Sequence, residues 1–201
     1  MKNFEIITKR GSKCQAIVDG EKMRISLEAA AKVRLKEGPM DDDKFAEFCK
    51  LNDFCLCKKY LFDMVSRRSW TVAAAKNYLL GKGYAPESVD KAVNMALEYG
   101  YLSDAKYAEN YVSDRFKATG ELRLRRELKQ RGISDVIVAE TLEKADLGDE
   151  YERALELAKK RTADREKKLR TPKAKERVLR YLIWRGFEYE TARRVIEEIS
   201  E

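Results

Sequence analysis

Leu79-Leu80-Gly81-Lys82-Gly83-Tyr84, Leu128-Lys129-Gln130-Arg131-Gly132-Ile133 and Leu182-Ile183-Trp184-Arg185-Gly186-Phe187 are three versions of one helix ending. Each runs from a leucine through a basic residue to a glycine and a large apolar residue. The glycines Gly83, Gly132 and Gly186 are 49 and 54 residues apart, and alignment on them brings further positions into register. Eight residues before stand Ala75, Leu124 and Val178; six after come Val89, Val138 and Ala192; ten after come Val93, Leu142 and Ile196. Agreement at this many offsets marks an internal repeat, and the 3.6-residue spacing of the apolar positions makes each repeat helical.

The unit extends on both sides of the glycine. Tyr60, Leu61, Met64 and Val65 form an apolar stripe that recurs as Tyr107, Ala108, Tyr111 and Val112, and again as Tyr151, Ala154, Leu155 and Ala158. A second helix ends at each glycine, which tolerates the left-handed position just beyond a helix. Pro86, Ser134 and the pair Thr171-Pro172 are suitable helix starts. The predicted fold is mostly α: a tandem array of three three-helix repeats at residues 58–103, 104–148 and 149–201. Stacking neighbours through shared apolar faces would stabilise such an array.

Residues 1–57 read differently. Phe4 and Ile6, then Cys14, Ala16 and Val18, alternate with polar neighbours, and Asp19-Gly20 is a tight-turn dipeptide before Met23–Leu27. A β-hairpin is expected there, followed by a helix over Leu27–Lys36 that Gly38-Pro39 stops. Asp41-Asp42-Asp43 then suits the start of another helix through the macrodipole.

The chain carries 42 Lys and Arg against 35 Asp and Glu, a net charge of +7, unevenly spread. Residues 159–180 hold eleven cations, among them Lys160, Arg161 and Arg165, against Asp164, Glu166 and Glu176. Residues 115–131 hold Arg115, Lys117, Arg123, Arg125, Arg126, Lys129 and Arg131 against Glu121 and Glu127. A run of charge is commonly a solvated helix face. At this density mutual repulsion argues instead for an anionic partner, either a phosphate backbone or an acidic protein surface. Lys82, Arg131 and Arg185 also stand at helix C-termini, where a cation is favourable. Trp184 occupies the place of Gly81 and Gln130 in the other repeats, a position from which it can stack on a partner or pack locally.

Several classes of chemistry are missing from the sequence. There is no histidine, no phosphate-binding glycine loop and no nucleophile elbow, so the chain is not expected to be an enzyme and no cofactor is expected. Cys49, Cys55 and Cys57 have a spacing that fits no common zinc site, and Asp41-Asp42-Asp43 lacks the rest of a calcium loop. No stretch reaches the roughly 18 apolar residues of a membrane span, and the N-terminus has no apolar signal region. A cytoplasmic protein with reduced cysteines is expected.

Asp104, Lys106, Tyr107, Ala108, Tyr111, Val112 and Arg115 resemble the D-x-[RK]-[FY]-A-x-x-[YF]-V-x-x-R element of the RecX family of recombination regulators. Gly120, Glu127-Leu128 and Arg131-Gly132-Ile133 are similar to the family's next element. In repeat one Arg68 and Thr71 fit the pattern, whereas Ala74 and Ala75 replace its Glu and Leu. The resemblance spans about residues 58–200 and implies a monomer that binds the RecA recombinase filament, reaching DNA directly or through it, and most often inhibits recombination. The alternative from the residues alone is a stand-alone nucleic-acid-binding protein built of helix-turn-helix-like units. The candidate contact residues are Arg115, Arg123, Arg125, Arg126, Lys129, Arg131, Lys160, Arg161 and Arg165.

Overall fold

The computed structural model describes residues 1–10, 13–163 and 171–200. It divides into two compact units, Met1–Leu102 and Ser103–Glu201.

The first unit opens with strands β1 (Lys2–Arg10), β2 (Lys13–Val18) and β3 (Glu21–Ile25), then helix α1 (Leu27–Lys32), strand β4 (Gly38–Met40) and helices α2 (Asp42–Val65), α3 (Val72–Gly81) and α4 (Pro86–Glu98). The antiparallel sheet has the order β3-β2-β1-β4. Asp19 and Gly20 both have positive φ, the two-residue turn whose twist matches its strands.

Two expectations for this region need correction. Helix α1 ends at Lys32, not Lys36, because Arg34 takes a left-handed conformation. The amides of Arg34 and Leu35 then bond back to Ala31 and Ala30, which closes the helix. Gly38-Pro39, expected as a helix stop, belongs to β4 and pairs with Lys2–Phe4. A proline with no N–H to donate is tolerated there because β4 is an edge strand.

The boundary expected at residues 57 and 58 falls inside α2, one 24-residue helix. Asp41 caps it by accepting a hydrogen bond from the Asp43 amide at 3.0 Å. Its first half closes the sheet core of Phe4, Ala16, Ile25, Ala29, Phe48 and Cys55. Its second half joins α3 and α4 around Leu61, Leu79, Val89 and Val93, with Cys57 also buried there. Asn52 is a buried polar residue on α2. It accepts from the Ser26 amide at 2.7 Å and donates to the Arg24 carbonyl at 3.0 Å, so it satisfies backbone at the edge strand β3.

The second unit holds α5 (Asp104–Arg115), a 3₁₀ turn (Phe116–Ala118), α6 (Glu121–Gln130), α7 (Asp135–Lys144), α8 (Glu150–Ala163), α9 (Pro172–Arg185) and α10 (Tyr189–Glu198). One core gathers Val112, Leu124, Leu128 and Val138, and another gathers Ala158, Leu182, Phe187 and Val195.

The repeated helix ending has a single geometry. Gly83, Gly132 and Gly186 have φ of 88°, 79° and 90°. In each case the glycine amide bonds the carbonyl three residues back, and the next amide bonds the leucine carbonyl: Tyr84 to Leu79, Ile133 to Leu128 and Phe187 to Leu182. The leucine and the large apolar residue are therefore the two sides of a hydrophobic clamp over a turn that only glycine enters without strain. All six are buried, and burying each leucine stabilises by about 1.5–3 kcal/mol.

Candidate partner-binding surface

Most of the candidate cations lie on or beside α6. Leu124 and Leu128 turn its inner face to the core and leave two cationic faces.

The outer face carries Leu122, Arg125, Arg126 and Lys129, which together with Gln130 line an open depression. Leu122 is 53% exposed, a large apolar side chain in water among cations. Arg125 pairs with Glu121 and Lys129 with Asp135, both at 2.8 Å. These are exposed pairs of small energy, readily exchanged for a partner's anions. Arg126 is exposed and enters no ion pair found among the described residues.

The other face is built around Glu127, whose side chain is 14% exposed. Tyr111 donates its hydroxyl to Glu127 Oε2 at 2.6 Å, and Arg123 donates Nε to Oε1 at 2.8 Å. Arg115 lies 3.9 Å from the same carboxylate. Arg115 and Arg131 sit 4.7 and 4.5 Å from the Tyr111 ring centre, and Arg131 also donates to the Glu127 carbonyl at 2.9 Å. Burial and the bond to Glu127 push the Tyr111 hydroxyl up to about 12. Burial alone would raise Glu127, but the Tyr111 and Arg123 bonds outweigh it and hold the carboxyl below its ordinary value.

The density of cations at 115–131, taken from sequence as too great for a structural role, thus has a structural component. One carboxylate and one phenol ring hold Arg115, Arg123 and Arg131, while Arg125, Arg126 and Lys129 point away.

Arg123 also joins the two repeats of this unit. It lies 4.3 Å over the Trp184 ring and donates to the Trp184 carbonyl at 3.2 Å. Trp184, 59% exposed, stacks on Tyr181, and Arg161 lies 4.2 Å over Tyr181. The structure therefore brings Arg161 and Arg123 to opposite ends of one aromatic pair. Lys160 pairs with Glu156 on α8, and Arg165 lies outside the described residues.

The junction has a further part that sequence reasoning missed. The Gly120 amide donates to the Arg185 carbonyl at 3.0 Å, and Arg185 Nη1 donates to the Ala118 carbonyl at 3.3 Å. Arg153 donates Nη1 to the carbonyls of Phe116 and Thr119. Burial pulls the Arg153 pKa down, and its Nε has no partner among the described residues. Gly120 and Gly186 are packed so closely that neither has space for a side chain. Of this set Gly120, Arg185 and Gly186 stood out in the sequence, as part of the family element and of the repeated helix ending, but nothing there joined Gly120 to the other two. Arg153 bonds backbone 34 and 37 residues away, and nothing local announces that.

Among the described residues no three acidic or thiol side chains converge as a metal site, and no helix is long and apolar enough to cross a membrane. Cys55 and Cys57 sit in different cores, and burial pushes the Cys57 thiol up to about 12.

Comparison with known proteins agrees with this architecture. Residues 103–142 match the family model described as RecX, second three-helix domain, and residues 148–196 match the RecX third three-helix domain. The regulatory protein RecX of Haemophilus influenzae strain PittEE is 31% identical over 134 residues, 66% of this chain and 87% of that protein. The regulatory protein RecX of Clostridium botulinum strain Alaska E43 is 28% identical over 195 residues, 96% of this chain and 82% of that protein. A crystal structure of a regulatory protein RecX superposes with a TM-score of 0.70 at 18% identity, covering 98% of this chain and all of that one, so the fold is shared. The chain belongs to the RecX family of regulatory proteins.

Proposed function

We propose that this protein is a non-catalytic cytoplasmic regulator that binds a RecA-type recombinase filament on DNA as a monomer and restrains its ATP turnover and strand exchange. The observation that carries the reading is the outer face of α6, where Arg125, Arg126 and Lys129 surround the exposed Leu122. Cations flanking an apolar side chain suit an acidic, partly apolar protein surface. The bonds of Gly120 and Arg123 to the end of α9 tie α6 down, and a surface held in place before binding has a lower ordering cost. The family's regulatory naming supports the same role.

The test is strand exchange and DNA-dependent ATPase with the cognate recombinase. Replacing Arg125, Arg126 and Lys129 with alanine keeps a good helix former at each site, and inhibition is expected to weaken at least tenfold. Lys173, Lys175 and Arg177 on α9, changed likewise, are the matched control. Normal inhibition by the α6 variant together with loss in the control would place the surface elsewhere. Binding to naked DNA is expected to fall steeply with salt while filament binding persists. Parallel loss of both would favour the stand-alone nucleic-acid reading.

A further inference from the structure

The end of α4 in the first unit departs from the charge pattern of the helices that follow it. Each helix from α5 to α9 carries a cation in its last turn, where it complements the helix dipole. Helix α4 carries Glu98 there instead, and no Lys or Arg stands between Ala92 and Ala105. Glu98 enters no ion pair found among the described residues. A carboxylate beside the open carbonyls of a helix end works against stability, and such departures mark functional surfaces.

The turn after α4 repeats the helix ending of the three repeats with one difference. Gly100 has φ 70°, its amide bonds the Leu97 carbonyl, and the Tyr101 amide bonds the Ala96 carbonyl at 2.8 Å. In the three repeat endings the residue after the glycine is buried. Here Tyr101 is 61% exposed, and the next residue, Leu102, is buried in its place. Tyr101 stands edge-on to Phe62 of α2 at 5.1 Å between ring centres and lies 6.4 Å from Tyr99, which is 64% exposed. Leu97, in the same last turn, is exposed as well. Other aromatic rings of this chain are covered from within: Arg123 lies over Trp184, Arg161 over Tyr181 and Arg194 over Tyr151. Among the described residues no cation lies over Tyr99, Tyr101 or Phe62.

We propose that the end of α4 is a second protein-docking surface, opposite in charge to α6, which takes an arginine-bearing apolar segment of a protein partner. The guanidinium lies over the Tyr99 and Tyr101 rings and pairs with Glu98, while aliphatic neighbours of that arginine rest on Leu97 and Phe62. Three properties select this occupant. A planar guanidinium stacks on an aromatic face and bonds a carboxylate at the same time, which a compact ammonium does less well. The free carbonyls at the α4 end add negative potential at the same place. Residues 86–103 carry Glu87, Asp90 and Glu98 against Lys91, a local net of −2 in a chain of net +7, so a polyanion is drawn elsewhere on this protein.

The inference goes beyond the filament reading, because it concerns the other unit and a partner of opposite charge, and it is tested on the protein alone. The probe is an acetylated, amidated pentapeptide of alternating arginine and leucine, titrated into the full chain and followed by amide NMR shifts. Saturable shifts are expected at Gly100 and Tyr101. The same peptide with neutral citrulline in place of arginine is expected to bind about tenfold more weakly. Tyr101→Leu is expected to weaken binding about threefold, the worth of one exposed cation–π contact. Glu98→Lys is expected to weaken it at least about tenfold and yet to melt at or above the parent, since a cation suits a helix end. That opposite movement of binding and stability separates a docking role from a structural one, and it rests on a variant that folds. Saturable shifts that leave out Gly100 and Tyr101, equal binding of the citrulline peptide, or parent-like binding by Glu98→Lys would overturn the proposal. Shifts of the same two amides with protein concentration alone, abolished by Glu98→Lys, would make the occupant a second copy of this chain and overturn it equally.

Discussion

Replacing Gly120 with alanine isolates crowding from backbone strain. Gly120 precedes α6 with φ −73° and ψ 161°, a conformation open to any residue. A Cβ built there meets the Gly186 oxygen at 2.2 Å, the Gly186 carbon at 2.3 Å and the Phe187 nitrogen at 2.4 Å. All three are backbone atoms and cannot rotate aside, so ordinary contact requires the α6 start and the α9 end to separate by more than 1 Å, a displacement well above the few tenths of an ångström that packed neighbours absorb. Overpacking of this kind costs about 1–3 kcal/mol. The Gly120 amide bond to the Arg185 carbonyl would be lost or stretched with it, adding about 1 kcal/mol. A loss of about 2–4 kcal/mol lowers the melting temperature of residues 103–201 by about 10–20 °C.

Two controls separate the causes. Gly83→Ala has φ +88° and nothing within 4 Å, so it should cost only the strain of a left-handed residue, about 1–2 kcal/mol. Gly81→Ala, at the end of α3 with open space around it, should stabilise by about 0.5–1 kcal/mol. Circular-dichroism melts read all three, and Trp184 fluorescence in a Trp70→Phe background follows the junction itself. If Gly120→Ala melts with the parent or above Gly83→Ala, the close approach of the two repeats is wrong.

Glu127→Gln should destabilise by about 1–3 kcal/mol at pH 7, since it removes the charge that Tyr111 and Arg123 bond. Because the folded carboxyl titrates below its unfolded value, this stabilisation is complete above the unfolded pKa and is lost as pH falls through the folded one. Urea titrations should therefore show the gap between parent and variant closing below about pH 4, and a gap that stays constant with pH would refute the charge assignment. Asn52→Leu should cost about 2–4 kcal/mol in the same assay by stranding the Ser26 amide and the Arg24 carbonyl. Leu128→Ala, which empties one side of a helix-ending clamp in a fully buried position, should cost about 2–5 kcal/mol; an unchanged urea midpoint would mean that the clamp leucine is not packed as described.

The repeated helices were legible in the sequence because their signals are local. The left-handed glycine, the leucine four residues before it and the apolar residue after it belong to one backbone turn. Thr171 and Ser134 cap helices through amides three residues on. The hairpin at Asp19-Gly20 is local in the same way. Only tertiary structure decided the rest. Whether Gly38-Pro39 ends a helix or forms a strand depends on β1, about 35 residues away, and whether 57 and 58 divide two domains depends on the cores that α2 touches on either side. The division of the cations was equally invisible. Arg123 and Arg126 are three residues apart and chemically identical in sequence. One is held by Glu127 and by Trp184, 61 residues on, while the other faces water. A charge count adds side chains along the chain, but neutralisation acts through space over a few ångströms, so the packing of α6 against α9 decides which arginines remain for a partner.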